Sequence, residues 1–250
     1  MDLDAAARAA DALAAARRVS ALTGAGVSAE SGVPTFRGPG GLWEGRRPEE
    51  LASPVAFAAD PELVWRFYDW RRTRLAGARP NAAHRALARL EQLVPSFELV
   101  TQNVDGLHAE AGSRRVVELH GNIWRVRCPR GCVDEIDRTA PLPPPLPPRC
   151  PRCRGPLRPG VVWFGEALPP GAFEAARRAA ESAEVFLVVG TSGVVEPAAS
   201  LARLAAGRGA LVVEINPDVT ALTDVAAISL RAGAGEALSA IVDRVEEARR

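Results

Sequence analysis

The chain of 250 residues has no lysine, so all 31 of its cations are arginines. Methionine occurs once, tyrosine once, glutamine only at 92 and 102, and asparagine only at 81, 103, 122 and 216. Abundant Ala, Arg, Gly and Pro beside these shortages suggest a GC-rich genome; depletion of thermolabile residues also suits a thermophile. The amides that remain stand out, because three of the four Asn and one of the two Gln fall in the motifs below. Charges of the two signs nearly cancel, 31 basic against 30 acidic residues. A formal net charge of +1 gives no electrostatic reason to expect nucleic-acid or membrane partners. No apolar run approaches membrane-spanning length. The opening MDLDAAARAADALAAARR carries acids and reads as an amphipathic helix rather than a signal peptide. The expected location is the cytoplasm. No internal repeat is evident.

What is present is apolar enough, at 47%, for a substantial core. Short β-rich runs alternate with Ala-rich helical ones, which predicts an α/β fold with a mostly parallel, doubly wound sheet. The expected strands are 19–22, 98–101, 116–119, 185–189, 211–215 and 227–230. The expected helices are 4–18, 81–93, 173–182, 197–206 and 235–249. A further helical stretch, 53–75, is off this rhythm. The segment TGAGVSAESGVPTFRG, 23–38, follows the first strand. Gly24, Gly26 and Ala29 match a dinucleotide fingerprint of the form G-x-G-x-x-G/A, whose turn offers bare N–H groups to a pyrophosphate. The Gly- and Pro-rich loop that follows, with Thr35, Phe36 and Arg37, is unlike an ordinary dehydrogenase turn. The ends of the later strands are populated too: TQNVDGLH after Val100, His120-Gly121-Asn122, Gly190-Thr191-Ser192 and Asn216-Pro217-Asp218. In open parallel sheets ligands bind at such strand ends, so these motifs predict one long nucleotide cleft.

All four cysteines lie between 128 and 153, as Cys128-x₃-Cys132 and Cys150-x₂-Cys153. Two close pairs at this separation predict a structural Cys₄ zinc site. Paired disulfides and bystander thiols are the alternatives, the former disfavoured without a secretion signal. The intervening APLPPPLPP, 140–148, reads as a stiff polyproline connector.

Taken in order, 24–38, TQNVDGLH, His120-Gly121, the Cys pairs, Val161 to Glu166 and Gly190-Thr191-Ser192 resemble the sirtuins, NAD-dependent protein-lysine deacylases. The resemblance covers nearly the whole chain. It implies a Rossmann-like NAD-binding domain (1–38, 76–125 and 159–250) and a smaller domain made of a helical insert (39–75) and a zinc-ribbon insert (126–158). It implies one structural zinc ion on Cys128, Cys132, Cys150 and Cys153, and NAD as co-substrate. Gly24, Ala25, Gly26 and Ser28 would cradle the NAD phosphates, with Thr35, Phe36 and Arg37 on the covering loop. Gln102, Asn103 and Asp105 would line the ribose and nicotinamide pocket. Gly190, Thr191, Ser192, Asn216 and Ala234 would hold the adenosine half. His120 would be the general base and Asn103 its catalytic companion. Val162, Trp163, Phe164, Gly165 and Glu166 would pair with an acyl-lysine peptide as an added strand. The implied products are nicotinamide, free lysine and an O-acyl-ADP-ribose. His84 and His108 read as structural.

Tyr68 and Arg71, three apart on one helix face, suit a carboxylate, which Arg binds bidentately. They resemble the Tyr-x-x-Arg of sirtuins that remove succinyl, malonyl or glutaryl groups, and Ala52 resembles the small residue that widens their acyl pocket. Desuccinylation or demalonylation beside deacetylation is therefore expected. The competing readings are mono-ADP-ribosyl transfer on the same fold and a non-catalytic NAD-sensing or zinc-ribbon module. A binder needs no base, so His120 with Asn103 disfavours the latter. The expected partner is acylated lysine in proteins or peptides, with no nucleic acid and no membrane, the chain being a monomer or weak homo-oligomer.

Overall fold

Near-continuous runs of buried Val, Leu, Ile and Phe build the centre of the molecule, as a sheet covered on both faces requires. The computed structural model describes residues 1–34, 45–46 and 48–250. Helix α1 (Leu3–Ala15) leads into β1 (Arg18–Thr23) and a 3₁₀ turn, Ala25–Ser31. Helices α2 (Pro48–Leu51), α3 (Pro54–Ala59), α4 (Pro61–Ala76) and α5 (Ala82–Leu93) follow, then β2 (Ser96–Thr101), α6 (Leu107–Glu110) and β3 (Val116–Glu118). Strands β4 (Gly121–Arg127), β5 (Asp134–Ile136) and β6 (Arg158–Val161) come next. The chain closes with α7 (Pro170–Ser182), β7 (Val185–Val189), α8 (Ser200–Gly207), β8 (Leu211–Ile215), β9 (Ile228–Leu230) and α9 (Ala234–Ala248). None of the described helices is long and apolar enough to cross a membrane.

Six strands form a parallel sheet in the order β3-β2-β1-β7-β8-β9, the arrangement of a doubly wound dinucleotide fold, with its switch point between β1 and β7. Register brings four strand ends to one level. Thr23 pairs with Thr101 and with Val189, and Val189 pairs with Ile215. The turns that begin with Gly24, Gln102, Gly190 and Asn216 therefore leave the sheet side by side. One face of the sheet packs on α1, α5 and α9 through Leu13, Leu87, Leu90, Leu238 and Ile241. The other packs on α7 and α8 through Ala176, Ala180, Leu201 and Ala205.

A second core lies outside this sheet. Leu51, Val64, Trp65, Phe67 and Tyr68 from the helical insert pack with Ile123, Trp124, Cys128, Cys150, Leu157 and Trp163. The two inserts thus share one interior. The antiparallel sheet around the cysteines extends on both sides of 126–158, the span expected for the zinc insert. Strand β4, from Gly121, pairs with β5 and with β6, which runs to Val161, in a separate antiparallel sheet. Residues 121–125 and 159–161 belong with it because Ile123, Trp124 and Val161 bury themselves in this core. Helical stretch 53–75 divides at Asp60, whose carboxylate caps α4 by accepting from Leu63 N–H. The proline-rich segment is no free strut: Leu142 is buried in the second core and its N–H donates to Asp69 at 2.6 Å.

Candidate active site

A cavity of about 1280 Å³ opens above the switch point. Its floor is the first turn. Gly24 N–H donates to Val189 O (3.0 Å) and Gly26 N–H to Gly190 O (2.8 Å). A Cβ on Gly24 would stand 2.8 Å from Gly190 O, and Gly190 itself has φ +60°. The two turns interlock so closely that only glycine fits both. Two of the N–H groups expected to be bare are therefore used within the protein, and the turn continues as a 3₁₀ rather than an α-helix.

Of the residues expected to hold the nucleotide, Gly24, Ala25, Gly26, Gln102, Asn103, Gly190, Thr191, Ser192, Asn216 and Ala234 line the cavity. Gln102 Nε2 donates to Thr191 Oγ1 (3.0 Å) and Asn216 Nδ2 to Thr191 O (3.0 Å), tying three strand ends together. Two residues lie behind the wall instead. Ser28 is 0% exposed and Asp105 6%. Ser28 Oγ donates to Asp105 Oδ2 (2.8 Å), and Asp105 Oδ1 accepts from Leu107 N–H (2.9 Å). Their part is to fix Asn103, whose Nδ2 donates to Ser28 Oγ (3.1 Å) and whose N–H donates to Thr101 Oγ1 (3.1 Å). Thr35, Phe36 and Arg37 lie outside the described residues.

His120 lines the same cavity, two residues beyond β3. Its Nδ1 lies 2.9 Å from Gln102 O, so Nδ1 carries the proton and Nε2 the lone pair. Burial lowers its pKa, and the bond to Gln102 opposes that shift in part. The imidazole is therefore a neutral base at neutral pH. Among the described residues Nε2 has no hydrogen-bond partner.

Beneath this wall His84 and His108 belong to a larger buried polar cluster. Thr23 Oγ1 donates to Thr101 Oγ1 (2.9 Å) and meets His108 Nε2 (2.9 Å). His84 Nε2 stands 3.3 Å from Ser28 Oγ, and the two rings are 4.8 Å apart. Burial lowers both pKa values, that of His108 to about 3. The signal available was the pair of threonines closing strands 1 and 2. At the far end, Glu214 is wholly buried and accepts from Thr220, Thr223 (2.9 Å) and Arg231 (2.8 Å). It anchors the 216–221 loop, which lines the cavity.

The second core supplies the opposite wall. Ala52, Tyr68, Arg71 and all of Val162 to Glu166 line the cavity. Val162 to Glu166 follow β6 as a turn rather than as a continuation of the strand. Val162 N–H donates to His120 O, Phe164 N–H to Ala52 O, Trp163 N–H to Glu166 Oε2 and Glu166 N–H to Trp163 O. With those donors committed, a peptide strand added here must pair through Gly165 N–H or carbonyl groups. Tyr68 is 2% exposed and accepts from Trp163 Nε1 at 3.0 Å. Burial pushes its pKa up to about 12 against the opposing pull of Arg71, so the phenol stays protonated. Arg72, next to the cavity residue Arg71, is no solvated cation. It is fully buried, donates to Trp124 O (3.2 Å) and Asp137 O, and lies over the Trp65 and Trp124 rings.

The four cysteine sulfurs all lie within 4.8 Å of one another, with Cys128 and Cys153 at 3.5 Å. None forms a disulfide. A Zn–S bond of about 2.3 Å places tetrahedral sulfurs about 3.8 Å apart, so this set is positioned to bind one zinc ion. With four thiolate ligands the ion has no open position and serves structure.

Residues 24–197 match the Sir2 family model. The chain belongs to the Sir2 family. The NAD-dependent protein deacylase of Aquifex aeolicus is 52% identical over 226 residues, covering 90% of this chain and 94% of that one. NAD-dependent protein deacylase 2 of Pyrobaculum aerophilum is 55% identical over 238 residues, covering 95% and 94%. A crystal structure of a Sir2 homologue–NAD complex superposes with a TM-score of 0.93 at 51% identity, covering 97% and 94%. A Sir2 protein bound to a myristoylated histone peptide superposes with a TM-score of 0.80 at 32% identity, covering 98% of each chain.

Proposed function

We propose that this chain is an NAD-dependent protein-lysine deacylase with a preference for acyl groups that end in a carboxylate. The observation that carries the deacylase reading is the neutral His120 imidazole on a wall of the cavity beside Gln102 and Asn103. The interlocked Gly24, Gly26 and Gly190 turns, Thr191 and Asn216 fit a dinucleotide laid across the switch point. NAD, when bound, supplies a ribose carbon that loses nicotinamide and takes up the acyl oxygen. The remaining work falls to this chain's residues. Asn103, fixed by Ser28 and Thr101, would present its side-chain amide to the ribose and nicotinamide end of NAD. His120 Nε2 accepts a proton from a sugar hydroxyl while Nδ1–H stays on Gln102 O. Trp163 and Phe164 exclude water from the acyl end, and the 162–166 turn receives the peptide.

The acyl preference rests on Tyr68 and Arg71, side by side on α4 and both at the cavity. A protonated phenol donor next to a guanidinium suits a carboxylate and offers nothing particular to a methyl group. The test is a panel of acetyl-, succinyl- and myristoyl-lysine peptides with wild type and Arg71→Met. The expected result is faster removal of succinyl than of acetyl by wild type, and a succinyl-to-acetyl ratio at least about tenfold lower in the variant, since charged hydrogen bonds are worth 1.5–3 kcal/mol. Equal losses on both peptides would remove the acid preference while leaving the deacylase reading intact.

A further inference from the structure

We infer that Trp163 is a positioning residue for acyl selectivity: its indole N–H occupies the acceptor side of Tyr68 Oη and thereby commits the phenol proton to a carboxylate in the cavity. This rests on the acid-acyl reading above and deepens it. A phenol oxygen both accepts and donates, whereas an indole N–H only donates. The 3.0 Å bond from Trp163 Nε1 therefore has one possible direction. With that bond made, Tyr68 must send its own proton elsewhere, and among the described residues no acceptor takes it. Tyr68 lines the cavity beside Arg71, so a ligand carboxylate there is the natural acceptor. A hydroxyl that already accepts one hydrogen bond is also the better donor of the next.

The indole is built in, not laid on. Trp163 is 2% exposed. The Arg158 guanidinium lies 3.6 Å from its ring centroid and is itself held by Glu166 at 2.6 and 2.9 Å. Glu166 also accepts from Trp163 N–H (2.9 Å), and Phe57 packs against the ring at 5.1 Å. The raised pKa of Tyr68 keeps the proton available for donation at every physiological pH. A phenylalanine at 163 would keep an aromatic ring but leave Tyr68 free to turn its proton away from the ligand.

The test is a double-mutant cycle of wild type, Trp163→Phe, Tyr68→Phe and the double variant, with Arg71→Met as the control on the underlying reading. The readout is the succinyl-to-acetyl ratio of kcat/KM, so losses common to both peptides cancel. Trp163→Phe is expected to lower the ratio about three- to tenfold, as befits one hydrogen bond, mainly through the KM of the succinyl peptide. In the Tyr68→Phe background it is expected to lower it no further. If Tyr68→Phe and Arg71→Met lower the ratio but Trp163→Phe does not, or if the two aromatic changes add, the positioning role is wrong and the acid preference stands. If none of the three moves the ratio, both ideas fall. Should Trp163→Phe not fold, the ¹⁵N-indole resonance of Trp163, assigned through its contact with Phe57, decides. It is expected to move upfield in Tyr68→Phe, and an unmoved resonance overturns the proposal.

Discussion

Replacing His108 with glutamine should make the protein less sensitive to acid. His108 is 2% exposed, at the start of α6. Thr23 Oγ1 already gives its proton to Thr101, so His108 Nε2–H is the donor in the 2.9 Å contact with Thr23. Among the described residues Nδ1 has no hydrogen-bond partner, and the His84 and His108 ring centroids lie 4.8 Å apart. Burial first, and His84 second, lower the His108 pKa from 6.5 to about 3. The folded state therefore keeps this ring neutral while the unfolded chain takes up a proton below pH 6.5. Stability from this residue is intact above pH 6.5 and falls as pH drops toward 3, by about 1.4 kcal/mol per pH unit once well below 6.5. Between pH 7 and pH 5 the loss from His108 alone comes to about 2 kcal/mol. Glutamine retains an N–H for Thr23 and does not titrate. Urea unfolding of both proteins at pH 7, 6 and 5 measures the effect. Protonation of the zinc thiolates weakens both proteins equally and drops out of the difference. The wild type is expected to lose about 2 kcal/mol more than the variant over this range. A gap between the two that does not change with pH would refute the reasoning.

Gly190→Ala should cost at least about 2 kcal/mol, because φ +60° is strained for alanine and its Cβ would overlap Val27 N and Gly26; thermal unfolding and calorimetric titration with ADP-ribose should both register it. Chelating the zinc, or changing Cys153 to Ser, should loosen the second core, which contains Cys128 and Cys150. Because that core also holds Tyr68 and Trp163, acyl-peptide binding should weaken with the fall in Tm, and added zinc should restore both in the wild type only.

The parallel sheet was legible because its strands are short apolar runs with turn residues at their ends; 185–189 and 211–215 match their predicted limits. The small antiparallel sheet was hidden. Strand β6 is Arg158-Pro159-Gly160-Val161, whose Pro and Gly argue against a strand, and its glycine is needed because a Cβ at 160 would strike the Arg125 side chain. The cavity lining was mostly readable, since polar residues beyond buried strands can only leave the sheet at its carboxyl edge. Which way each faced was not. Ser28 and Asp105 sit among lining residues in sequence, yet turn inward because their hydrogen bonds to each other and to Asn103 satisfy buried donors. Arg72 reads as one cation of an Arg-rich helix. Only the fold brings two tryptophan faces and two carbonyls around it.

The most direct measurement of the central claim, that His120 serves as the base of an NAD-consuming deacylation, is mass spectrometry of a succinyl-lysine peptide incubated with NAD and the enzyme. Wild type should remove the succinyl mass, release one nicotinamide per acyl group and do neither without NAD, while His120→Ala should lose both activities with its fold intact. A peptide that gains the mass of ADP-ribose, or a His120→Ala variant that removes the acyl group as fast as wild type, would contradict it.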